Sequence, residues 1–60
     1  MNAVFLKKDK DGKIYDCFTL VRGMERKPIS EKTCIKFINK PNVILFGKNV
    51  EGSFVYGVFP

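Results

Sequence analysis

Within residues 31–40, EKTCIKFINK, apolar and polar side chains separate at helical spacing and mix at strand spacing. At about 100° per residue, Cys34, Ile35, Phe37 and Ile38 share one arc of about 160°. Lys32, Thr33, Lys36, Asn39 and Lys40 fill the opposite arc. As a strand, the same stretch puts Lys, Cys, Lys and Ile on one face and Thr, Ile, Phe and Asn on the other, which separates nothing. Ser30 stands where an N-cap belongs, Ile29 and Cys34 have the spacing of a hydrophobic staple, and Pro41 stops the run. Thr, Cys, Ile and Phe are weak helix formers, but the segregation outweighs propensity, and a helix is predicted over 31–40. The row of Lys32, Lys36 and Lys40 then follows from the apolar side and reads as the solvated side of that helix.

A single central helix constrains what flanks it. NAVFLKK and KIYDCFTLVR are β-rich runs separated by DKDG, where Asp11-Gly12 marks a hairpin turn because glycine accepts positive φ. NVILFGK and SFVYGVF form a second such pair, with Gly52 near their turn. The order ββαββ predicts one small α+β domain over residues 1–60, a four-stranded sheet with one short helix on one face. The alternative is a five-stranded SH3-like or OB-like β-barrel, in which 31–40 is a strand. With a right-handed crossover, the run at 42–48 would lie parallel to the run at 13–22. Lys8, Lys10, Lys13 and Lys40 would then gather at one end of the sheet, and Arg22, Arg26, Lys27 and Lys48 at the other.

One helix covers one sheet face, and this sheet has apolar residues for two. In the second run Ile14, Phe18 and Leu20 alternate with Tyr15, Cys17, Thr19 and Val21. The first set is larger and is assigned to the helix. The other face would carry Tyr15 and Val21, with Phe54 and Tyr56 beside them, and a patch of that kind calls for a cover. Loops or chain ends of the same molecule would close it, or a second copy, a partner protein or stacked bases would sit on it, since tyrosine offers a rigid ring with a polar tip.

Sixty residues hide only about 60% of the surface of the unfolded chain, so a stability of a few kcal/mol is expected. Apolar residues at 45% and charged residues at 28% exclude a disordered composition. The opening MNAVFLKKDKDG does not read as a secretory leader, and no run approaches the ~20 apolar residues of a membrane span. A cytoplasmic location is expected. Cys17 and Cys34 have no CxxC spacing and no histidine to complete a zinc set, so they read as buried free thiols.

The chain lacks histidine, the usual acid–base group at neutral pH, and neither serine sits in a nucleophile elbow. Asp9, Asp11 and Gly12 do not match a calcium loop, because with Gly12 at the sixth position Lys7 and Phe18 stand where oxygen ligands are required. No enzyme, cofactor, metal or small-molecule substrate is expected. Eleven basic residues against six acidic ones give a net charge of +5, which attracts polyanions. The excess is spread over residues 7–13, 22–27 and 31–40 without an uninterrupted basic block, and there are only two arginines. The expectation is a small basic binding protein, dimeric or partner-bound. It would hold nucleic acid through Lys8, Lys10, Lys13 and Lys40, with Tyr15 and Tyr56 available for stacking. The alternative is an inhibitor or modulator, of the kind phages and mobile elements encode, docked on a host protein through the apolar sheet face.

Overall fold

The computed structural model describes residues 1–59. Five strands and one helix follow in the order β1 (Ala3–Lys8), β2 (Ile14–Val21), β3 (Glu25–Pro28), α1 (Glu31–Ile38), β4 (Val43–Lys48) and β5 (Phe54–Val58). The strands form one open antiparallel sheet in the order β3-β2-β1-β5-β4. The α+β class and the helix agree with the sequence reading, while the sheet has five strands rather than four. The barrel alternative fails because 31–38 is helical and the β3 and β4 edges do not pair with each other.

The unforeseen strand is β3, whose sequence ERKP has no apolar alternation. Its backbone nonetheless pairs with β2 from Val21↔Glu25 to Phe18↔Pro28, after a turn through Arg22 and Gly23 at φ 51° and 84°. Charges and a proline suit an edge strand, where they discourage pairing with another chain. This added reversal changes every direction that follows. β4 runs antiparallel to β2 instead of parallel to it, and it lies at the far edge beyond β5. The β1–β2 and β4–β5 hairpins therefore stand side by side at one end of the sheet.

The helix is shorter than predicted, ending at Ile38 with Asn39 as its C-cap. The Ser30 hydroxyl accepts the Thr33 N–H at 3.1 Å, as the N-cap reading required. Cys34 and Phe37 are buried and Ile38 partly so, whereas Ile35 lies at the edge of the apolar arc and is 39% exposed. Lys32, Lys36 and Lys40 all face solvent.

The core lies between helix and sheet. Val4 and Leu6 of β1, Cys34 and Phe37 of α1 and Val43 of β4 form its buried centre. Ile14, Cys17, Ile29, Ile38, Phe54 and Tyr56 pack around them. Burying side chains the size of Leu6 and Phe37 stabilises the fold by about 1.5–3 kcal/mol each.

The assignment of β2 faces is corrected by a β-bulge. Phe5 pairs with Phe18 but Lys7 pairs with Tyr15, so β2 carries one extra residue, and Asp16 there takes φ 56°. The bulge shifts the alternation. Ile14 reaches the helix side before it and Cys17 after it, while Phe18, paired with Phe5, lies on the opposite face. The expected Ile14–Phe18–Leu20 set is thus split between two faces.

Candidate interaction surface

The two adjacent hairpins have the same internal construction. In the first, Asp9 N–H donates to the Lys13 carbonyl and Gly12 N–H to the Asp9 carbonyl, each at 3.0 Å. The Asp9 side chain accepts the Asp11 and Lys13 N–H groups at 2.9 Å each. In the second, Asn49 N–H donates to the Ser53 carbonyl at 2.9 Å and Gly52 N–H to the Asn49 carbonyl at 3.0 Å. The Asn49 amide oxygen accepts the Glu51 and Ser53 N–H groups at 3.0 and 2.9 Å. Gly12 and Gly52 stand at φ 82° and 86°, the left-handed position that closes each turn.

These turns bring Lys8 of one hairpin beside Lys48 of the other, at the end of the sheet whose first turn also carries Lys10 and Lys13. Lys8 pairs across from Ile14 and Lys48 from Phe54, and the ammonium groups of Lys8 and Lys48 lie 5.2 and 5.3 Å from the centre of the Phe54 ring. Sharing one ring fixes both lysine stems while their charges stay exposed. The acidic groups nearby are partly engaged. Asp16 pairs with Lys7 at 3.6 Å, Glu51 with Arg26 at 2.6 Å, and Asp9 is committed to its turn.

Two expected members of the site lie elsewhere. Lys40 follows the helix at the opposite end of the sheet, where its carbonyl accepts the Val43 N–H and its ammonium lies 5.6 Å from the Phe37 ring centre. Tyr56 pairs with Val4 and packs against the core on the helix side. Tyr15 pairs with Lys7 near the hairpin end and is 50% exposed. It and Tyr56 therefore cannot form one stacking platform. Lys48 was expected at the other end, and its move follows from the direction of β4.

The face away from the helix is partly closed by the chain itself. Phe5 and Phe18 stack with ring centres 4.9 Å apart and planes within 2°. The Arg26 guanidinium from edge strand β3 lies 4.6 Å from the Phe18 ring centre and binds Glu51 in the β4–β5 turn. This contact spans the sheet from one side to the other, so the face curls inward and leaves Phe18 only 7% exposed. Beyond this strap, Phe46 remains 62% exposed and Ile44 40%. The Phe46 ring lies over Gly57, where an added Cβ would come within 2.9 Å of it.

A groove between α1 and the β2–β3 end is lined by Met1, Thr19, Val21, Ile29 and Thr33. Its one buried hydroxyl, on Thr19, already donates to the Ala3 carbonyl at 2.6 Å. Among the described residues no helix is long and apolar enough to cross a membrane, and no group of three or more His, Cys, Asp and Glu could hold a metal ion. Compared with protein-family models, curated proteins and solved structures, the chain matches none.

Proposed function

We propose that this is a non-catalytic, cytoplasmic binding protein that holds single-stranded nucleic acid along the end of its sheet. The observation that carries the reading is the convergence of Lys8, Lys10, Lys13 and Lys48 from two adjacent hairpins, with Tyr15 exposed on the neighbouring face. Lysine supplies point charges without base discrimination, so the expected contact is with backbone phosphates. Tyr15 would add one stacking contact, which requires an unpaired base. Fluorescence anisotropy with labelled single-stranded DNA, duplex DNA and RNA tests this. Binding should favour the single strands and weaken with salt at a log–log slope of about −3, as four neutralised phosphates imply. A flat salt profile, or equal weak binding to all three, would count against it.

A second reading rests on different residues. Ile44, Leu45 and Phe46 are 40%, 49% and 62% exposed on β4, an edge strand with no charge before Lys48. The opposite edge, β3, is guarded by Glu25, Arg26, Lys27 and Pro28. An apolar unguarded edge suits pairing with a second copy or with a host protein. Phe46→Ala, rather than a change at the inward Tyr56, is the substitution that separates this reading from the first. It should weaken a protein contact and leave binding to nucleic acid intact.

A further inference from the structure

Cys17 of β2 and Cys34 of α1 meet across the helix–sheet contact. Cys34 is wholly buried in the core, and Cys17 packs against it while remaining partly open to solvent. The two thiols lie close enough to act on each other's ionisation across that contact. These are the only cysteines in the chain. Thiol–disulfide exchange needs one sulfur that a reagent can reach and a second positioned to displace it. The pair has both, in adjacent elements.

We propose that Cys17 and Cys34 are a redox-sensitive pair that a low-molecular-weight disulfide converts to an intramolecular disulfide, stapling α1 to β2. The Cys17 thiolate attacks one sulfur of the small disulfide, forming a mixed disulfide and releasing one small thiolate. Cys34 then gives up its proton, and its thiolate attacks the Cys17 sulfur, forming the Cys17–Cys34 bond and releasing the second small thiolate. The protein loses two electrons and two protons, and the reagent leaves as two thiols. Burial raises the Cys17 thiol, opposed by the neighbouring Cys34 thiol and helped by the Glu31 and Asp16 carboxylates. Burial also pushes the Cys34 thiol up to about 12, with Cys17 and Glu31 adding to the shift. Thiolate is therefore scarce at neutral pH, and the reaction quickens as pH rises.

Oxidised glutathione acting on the folded protein at mildly alkaline pH tests this, read by intact mass and non-reducing peptide mapping. Wild-type protein should lose two hydrogens, carry no adduct and give one linked Cys17–Cys34 peptide. Cys34→Ala should stop with a single glutathione on Cys17, and folded Cys17→Ala should take up none. The oxidised wild type should also melt at a higher temperature than the reduced form and return on treatment with dithiothreitol. A lasting glutathione adduct on the wild type, a disulfide-linked dimer, or linkage only in denaturant would each overturn the proposal. So would an oxidised form that melts no higher than the reduced one.

Discussion

Asp16 decides which side chains of β2 reach the helix. At φ 56° it occupies a backbone region that aspartate tolerates and β-branched residues do not. Replacing it with glycine should leave stability within about 1 kcal/mol of wild type, whereas Asp16→Val should cost about 1–2 kcal/mol. Urea denaturation separates the two. The ion pair to Lys7 cannot account for such a difference, because it is long and both groups are exposed enough for solvent to screen it. Cys34 makes a second prediction, in pH. Its thiol moves from 9.0 to about 12 on burial, so in alkali the unfolded chain releases that proton first. The contribution is complete below pH 9 and fades as pH rises toward 12, so stability falls across that window. Cys34→Ala should flatten that part of the curve, and denaturation midpoints at successive pH values would show it. An unchanged slope would mean that the decline has another origin.

The elements differ in how openly the sequence announces them. The helix was legible because segregation of its two faces is a property of ten consecutive residues and needs no knowledge of the rest. Both hairpins were legible through their glycines. Their likeness was also present, as Lys8-Asp9-x-Asp11-Gly12 against Lys48-Asn49-x-Glu51-Gly52, but it is visible only when the Asx residue is aligned with the glycine three places on. β3 was not legible, since a guarded edge strand is recognised by the strand beside it and not by its own composition. Missing β3 reversed β4 and sent Lys40 and Lys48 to the wrong ends, so one short strand accounts for the misplacement of these two lysines. The bulge at Asp16 accounts for the exchanged faces of β2. The twin turns allow an internal comparison. Asn49→Ala should destabilise more than Asp9→Ala, because the Ser53 N–H it would abandon is partly buried while the Lys13 N–H can turn to water. The expected costs are about 1–2 kcal/mol and below about 1 kcal/mol, read from urea midpoints of the two variants.

At the scale of the molecule, the question is whether net charge or its arrangement governs binding. A chain with +5 at this size attracts any polyanion through its long-range field. A built surface holds the ligand at one place. The fold supplies a matched pair of lysine triads to tell these apart. Lys8, Lys10 and Lys13 lie at the hairpin end, while Lys32, Lys36 and Lys40 line the exposed side of the helix and end at the opposite edge of the molecule. Reversing either triad to glutamate changes the net charge by the same amount. All six positions are exposed, and each set gives up one contact between an ammonium group and a ring at the core, Lys8 with Phe54 and Lys40 with Phe37. If the hairpin end is the site, the first triple variant should lose affinity for single-stranded DNA by at least about tenfold more than the second at near-physiological salt, where the general field is screened within about 8 Å. Raising the salt should bring the helix variant toward wild-type affinity, since its triad contributes only through that field, while the hairpin variant, left with one lysine at the site, should show a salt slope much shallower than about −3. Equal losses, converging as salt rises, would mean that the lysines act as background charge. Circular dichroism of both variants keeps an unfolded protein from being mistaken for a lost site.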